Sequence, residues 1–292
     1  MSKKINFRTD LADERVEVYK KETSLDEIDG VKVTKSGSEQ YKITKVEVLN
    51  EQGENALNKP IGNYITMEIK DVTLIEEEEK QVIIETLSNQ IKQLIKKLDN
   101  ASVLIVGLGN KSATPDAIGP NTVEYIEITR HLMKYAPELL KEGVREISAI
   151  APGVLGTTGI ETSEIIQSIS KKIKPGFLIV IDSLASQSIE RVAKCIQISD
   201  TGITPGSGVK NKRKALNEKT LGVPVIAIGL PTVVDMATIT SDTISRIYKN
   251  QNVYNEVVEV LDADNYMVTP KEIDIIVQKI SEILASSLNV AL

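Results

Sequence analysis

The chain has 292 residues, 41% of them hydrophobic and 26% charged, with a formal net charge of −6. That balance fits a soluble protein of one large α/β domain or two smaller ones, and it argues against direct nucleic-acid binding, which calls for a basic face. Aromatic residues make up only 3%, so the core must come from Ile, Val, Leu and Ala; the single cysteine, Cys195, excludes an intrachain disulfide and suits a reducing compartment.

The first residues, MSKKINFRTDLADERVEVY, lack the apolar stretch of a secretory signal. No run approaches the ~18 apolar residues of a membrane span, so a cytoplasmic protein with no membrane partner is expected. Residues 1–30 are polar with weak periodicity, as in a mobile arm or a removable pro-piece. Residues 41–49 and 63–69 alternate apolar and polar, which predicts a hairpin-like pair of half-buried strands, with 50–61 as the loop between them. From Glu76 to Leu98 the period becomes helical, with an acidic start and a basic end that suit the helix dipole.

An alternating α/β pattern follows. Strands are expected at 103–106, 147–150, 177–181, 193–199 and 223–228, and helices at 120–135, 162–173 and 186–191. The run Phe177-Leu178-Ile179-Val180-Ile181 is continuously apolar, as in a sheet covered on both faces. It is expected to end at Asp182, and the strand at 223–228 to end at Gly229-Leu230-Pro231. The last helix should open at Thr269-Pro270-Lys271-Glu272, which reads as an N-cap, a first-turn proline and a capping-box glutamate. Together these give a doubly wound sheet.

Asp116 and Asp182 stand out as the candidate catalytic pair. Each follows the carboxyl end of an expected strand, where reacting groups collect in open α/β sheets. If the strands are neighbours, the carboxyls face one crevice and share one proton, one serving as base on a water and the other as acid. An Asp at such a place also caps helices or closes turns, and the pattern alone leaves that reading open. Other motifs carry less. Asp200-Thr201-Gly202 is the triplet of pepsin-like proteases, but those need two copies on an all-β scaffold. The glycine-rich stretch 152–159 lacks a Walker A ending, and Gly107-Leu108-Gly109 lacks the third glycine of a dinucleotide turn. The lone histidine, His131, lies in helix-like sequence, and nothing suggests a zinc site. Cys195 sits in an apolar run as a structural thiol. Lys210, Lys212, Arg213 and Lys214 form a basic cluster that is either a solvated loop or a grip for an acidic peptide or a neighbouring subunit.

These motifs resemble one family closely, the germination proteases of spore-forming Gram-positive bacteria. The matching stretches are FRTDLA at 7–12, VGLGN at 106–110, TPDAIGP at 114–120, APGVLGTTGIET at 151–162, IDSLA at 181–185, SDTGITPGSGVKNKR at 199–213 and GLPTVVDMATIT at 229–240. The resemblance implies an α/β fold with a mostly parallel sheet flanked by helices, phosphorylase/hydrolase-like and similar to hydrogenase-maturation endopeptidases, carrying a small β-containing insertion. It implies an aspartic-type endopeptidase whose catalytic residues are Asp116 and Asp182, with no metal and no cofactor. It implies a zymogen with residues 1–10 as propeptide and 11–292 as a single peptidase domain, cut by the enzyme itself between Asp10 and Leu11. The substrates implied are small acid-soluble spore proteins, and the assembly a homotetramer in the cytoplasm of the forespore and the spore core. Gly109, Asn110, Thr157, Lys212 and Arg213 are candidate substrate contacts. The alternatives are a metal-assisted maturation-type peptidase and a non-enzymatic binder of the proteins that coat spore DNA.

Overall fold

The computed structural model describes residues 9–98, 100–206, 213–247, 257 and 266–292. The amino-terminal part holds α1 (Ala12–Thr23), β1 (Val31–Gly37), β2 (Tyr41–Val48), α2 (Glu51–Leu57), β3 (Gly62–Ile69) and α3 (Glu77–Ile95). The middle holds β4 (Val103–Gly107), α4 (Ile118–Glu124), α5 (Arg130–Tyr135), β5 (Ile147–Ile150), α6 (Leu155–Thr158), α7 (Thr162–Ile173), β6 (Phe177–Ser186) and β7 (Cys195–Ser199). The remainder holds α8 (Glu218–Leu221), β8 (Val225–Asp235), α9 (Met236–Ile247), β9 (Met267–Val268) and a final helix, α10 (Ile273–Ala291). Among the described residues no helix is long and apolar enough to cross a membrane.

Among the described residues, all nine strands join one mixed sheet in the order β1-β2-β3-β7-β8-β6-β4-β5, with β9 against β8. β5, β4, β6 and β8 pair in parallel, the doubly wound part expected from the alternating pattern. The remaining pairs are antiparallel. The segment expected as a small β insertion extends the same sheet through the β3–β7 pair.

Alternation along the strands sorts the core. Val103 and Ile105 on β4, and Phe177, Ile179 and Ile181 on β6, pack with Leu87 and Ile91 of α3 and Ile280 and Leu284 of α10. Leu104, Val106, Leu178 and Val180 point the other way, against Ile166 of α7. Both faces are covered, which is why these strands are apolar throughout. Over the hairpin end, α1 and α2 contribute Ala12, Val16 and Leu57 to a third cluster with Val46, Val48 and Tyr64.

Several local expectations change for identifiable reasons. Residues 12–23 are a packed helix and not an arm; residues 1–8 lie outside those described. The expected loop at 50–61 contains α2, capped by the Asn50 side chain accepting from Gly53 N–H at 3.0 Å and closed by left-handed Asn58. Two-turn helices with Asn at both ends look like loops in sequence. The expected helix 120–135 divides, because Thr129 is drawn to the sheet edge, its N–H donating to Ile147 O at 3.1 Å. At 186–191 there is a turn and no helix: Gln187 and Ser188 N–H groups donate to the Glu14 carboxylate at 2.9 and 3.2 Å. A side chain from α1 thus takes donors that a helix would have used. β6 and β8 run on past their expected ends to Ser186 and Asp235, since they pair with each other beyond the tip of β4, with a bulge at Leu184/Ala185. The last helix starts at Ile273 with no side-chain cap at Glu272, and the Thr269 hydroxyl is turned away from it, donating to Thr232 O at 2.8 Å.

Leu87 is fully buried between α3, α10 and the sheet. Leu87→Ala is expected to cost about 2–5 kcal/mol, the range for a cavity in a packed core, and to lower the thermal midpoint measured by circular dichroism by at least about 4 °C.

Candidate active site

The site forms where one strand stops and its neighbour continues. Pairing of β4 with β6 ends at Gly107 opposite Ile181, and the next residue on β6 is Asp182. The chain leaving β4 stays close, with Leu108 N–H donating to Ile181 O at 2.8 Å. It then turns through Gly109 and Asn110 and returns in a single 3-10 turn, Thr114–Asp116. Asn110 N–H donates to Asp116 Oδ2 at 2.8 Å, fixing the carboxyl over the strand tips. Gly109 has φ +115°, and a Cβ there would lie 2.0 Å from Asp116 O. Only glycine lets this turn close beneath the aspartate.

Asp182 is buried, at 6% exposure, opposite Gly229 of β8, and accepts from its neighbour Ser183 N–H at 2.9 Å. Burial pushes its carboxyl well above the ordinary range, and the charges of Asp116 and then Asp10 push it further. Burial also raises Asp116, against the pull of the Asn110 N–H. Of the two, Asp182 is the carboxyl whose surroundings more strongly favour the protonated form.

Both line a cleft of about 1270 Å³. The chain's own Thr9 and Asp10 line it, directly ahead of the buried Leu11. Asp10 N–H donates to Ala185 O, and Ala185 N–H donates to Asp10 Oδ2, each at 3.0 Å. Leu11 is fully buried against Leu184, Cys195 and Ile203. The Asp10 carbonyl accepts from Lys59 Nζ at 2.6 Å and from Gln197 Nε2 at 3.2 Å.

The sequence reading missed those two side chains. A lone lysine in Asn58-Lys59-Pro60 carries no signal. Gln197 does leave one: it is a polar residue inside the buried strand Cys195-Ile196-Gln197-Ile198-Ser199.

Of the other candidates, Gly109 lines the cleft, while Asn110 acts through its backbone and uses its side chain on Ser112 N–H at 3.0 Å. Thr157 is exposed, its hydroxyl donating to Val154 O at 2.9 Å, so it serves its own turn. Arg213 lines the cleft and pairs with Glu161 at 3.0 Å. Lys210 and Lys212 lie outside the described residues. Asp200 clasps Asn63, accepting from its N–H at 2.7 Å and its side-chain amide at 2.6 Å. Cys195 is buried and burial pushes its thiol well up, which disfavours a thiolate. His131 is exposed on α5, away from the cleft lining. Among the described residues no group of three or more His, Cys, Asp or Glu is arranged to hold a metal ion.

A family model described as germination protease matches residues 8–256. A germination protease of Clostridium tetani is 47% identical over 99% of this chain and 96% of its own length. Those of Caldanaerobacter subterraneus and Priestia megaterium are 43% and 40% identical, each over 94% of its own length and 99% and 98% of this chain. Among solved structures, the [NiFe] hydrogenase maturation protease HycI from Thermococcus kodakarensis matches at a TM-score of 0.36 and 15% identity, over 68% of this chain and 98% of its own.

The raised carboxyl of Asp182 has a consequence for stability. A group whose folded pKa lies above its unfolded one contributes stability at low pH that is lost as pH rises through the folded value. Asp182→Asn cannot ionise and escapes that loss. Its thermal midpoint should exceed the parent's by roughly 2–4 °C at pH 7, the shift for about 1 kcal/mol in a chain of this size, and the difference should vanish near pH 3. A variant melting below the parent at pH 7 contradicts the electrostatic account.

Proposed function

We propose that this chain, which belongs to the germination protease family and is a peptidase, cuts peptide bonds with Asp116 and Asp182 acting together on one water molecule. The observation that carries this reading is the convergence of two raised carboxyls on one cleft at the tips of neighbouring strands. Their environments differ, and the roles divide accordingly. Asp182 is the more deeply buried and keeps its proton, so it serves as general acid toward the leaving amine. Asp116 is partly exposed and held by the Asn110 N–H, so it is the carboxylate that takes a proton from the attacking water.

The chain on this reading is a zymogen, with residues 1–10 as the propeptide and 11–292 as the peptidase domain, and it cuts itself between Asp10 and Leu11. Support comes from Asp10, which lines the same cleft and whose charge acts on Asp182, with Leu11 buried directly behind it. An acidic residue followed by a buried apolar one is then the pattern of a substrate site. The family resemblance extends the proposal to small acid-soluble spore proteins as substrates, and to a homotetramer in the forespore and spore core.

Asp116→Asn and Asp182→Asn should each slow cleavage of a small acid-soluble spore protein by at least about 100-fold, with the circular dichroism spectrum unchanged. Added chelator should leave the parent's rate unaltered. Full activity in either variant refutes the assignment, and loss of activity with chelator favours the metal-assisted alternative.

A further inference from the structure

We propose that Lys59 and Gln197 form the carbonyl-polarising site of this peptidase, taking the negative charge that develops on the oxygen of the bond being cut. The inference rests on the reading of Asp10–Leu11 as the self-cleavage bond and adds to it the groups that act on its carbonyl.

The geometry is specific to that bond. Of its two flanking polar atoms, the carbonyl oxygen of Asp10 receives Lys59 Nζ at 2.6 Å and Gln197 Nε2 at 3.2 Å. Gln197 also accepts from Ala12 N–H, through Oε1, at 2.7 Å. The side-chain amide thus bridges the backbone on either side of Leu11. That second bond decides the orientation of the amide: Oε1 must face the Ala12 donor, so the NH₂ group must face the Asp10 acceptor. Gln197 is 8% exposed, and its strand is locked between β3 and β8, which holds the donor in place before any chemistry begins.

Lys59 is held as firmly. It follows the left-handed Asn58 that ends α2, its own N–H donates to Glu54 O at 3.3 Å, and Pro60 restricts the backbone behind it. Its ammonium reaches into the cleft among Asp10, Asp13, Glu14 and Arg15. Burial draws the ammonium below its ordinary range, and the three acids oppose that shift. A fixed cation in a desolvated pocket acts on a developing oxyanion far more strongly than it would in water.

The step balances without further reagents. Water oxygen bonds to the Asp10 carbonyl carbon as Asp116 takes a water proton. The carbonyl π pair moves onto oxygen, where Lys59 and Gln197 hold it. The pair returns as the C–N bond breaks, and Asp182 delivers its proton to the Leu11 nitrogen. Exchange with solvent then restores the starting protonation of the two aspartates. With two donors on the oxygen, Asp182 is left free to serve the amine.

Both side chains also tether the segment, so the test must separate holding from polarising. Gln197→Glu keeps an acceptor for Ala12 N–H and loses the donor to Asp10 O. Lys59→Met keeps the length and loses the charge, and Lys59→Arg restores a charged donor. The experiment follows first-order conversion of the full-length chain to a product beginning at Leu11, by mass spectrometry, with circular dichroism melting as the check on folding. Lys59→Met should convert about 100-fold more slowly, the size seen for loss of one oxyanion donor, and Gln197→Glu at least about 10-fold more slowly. Lys59→Arg should recover at least about tenfold of the Lys59→Met loss. Conversion of Gln197→Glu and either Lys59 variant within twofold of the parent overturns the inference while leaving self-cleavage intact. A parent chain that never yields the Leu11 terminus overturns the self-cleavage reading and this inference with it. If Lys59→Met does not fold, Gln197→Glu and Lys59→Arg decide: parental rates in both count against the proposal, and a slow Gln197→Glu beside an active Lys59→Arg counts for it.

Discussion

Two like-charged groups brought out of water at one point repel each other, and the surroundings of Asp116 and Asp182 answer to that repulsion. The sheet creates the place. β4 ends at Gly107, β6 and β8 continue, and the first residue of β6 beyond the shared ladder is Asp182. The turn through Gly109 then carries Asp116 back over the gap. Burial raises both carboxyls, and the charge of Asp116 raises Asp182 further, so Asp182 is the one favoured to hold a proton. The same feature that makes the pair unfavourable for stability is the one the proposed mechanism draws on.

The amino-terminal segment adds a third acid to this pair. Asp10 lies in the cleft and its charge bears on Asp182. Beyond it, α1 is fastened by a charged knot. Arg191 pairs with Asp13 and, at 2.8 Å, with Glu17, while the buried Glu14 carboxylate accepts from the Ser186 hydroxyl at 3.0 Å and from the turn after it. Glu14 is drawn upward by burial and held down by these donors and by Arg191. These contacts that anchor α1 all lie on the carboxyl side of the Asp10–Leu11 bond.

Much of this was legible in the chain. The α7 limits and the β4 and β6 starts follow from continuous apolar runs and from isoleucines at helical spacing, signals that depend only on local burial. The placement of Asp116 and Asp182 beside one cleft was legible because strand ends in α/β sheets are where side chains meet. What stayed hidden depends on long-range partners. The turn at 186–191 replaces a helix because Glu14 occupies its donors, and the break before α5 follows from pairing of Thr129 with Ile147. Joining of the hairpin to the main sheet rests on β3 meeting β7, residues more than a hundred positions apart. Lys59 lies 49 residues from Asp10 and Gln197 lies 187 away, so no spacing rule links them. Only the polar residue in an apolar strand marked Gln197 as unusual.

The central claim, that the carboxyls of Asp116 and Asp182 feel each other across one cleft, is tested most directly by titrating the Asp182 side-chain carboxyl carbon by NMR in the parent and in Asp116→Asn. The account predicts a parent midpoint well above the ordinary aspartate range and a downward shift once the neighbouring charge is removed. An ordinary midpoint in the parent, or one that does not move when Asp116 is neutralised, would contradict it.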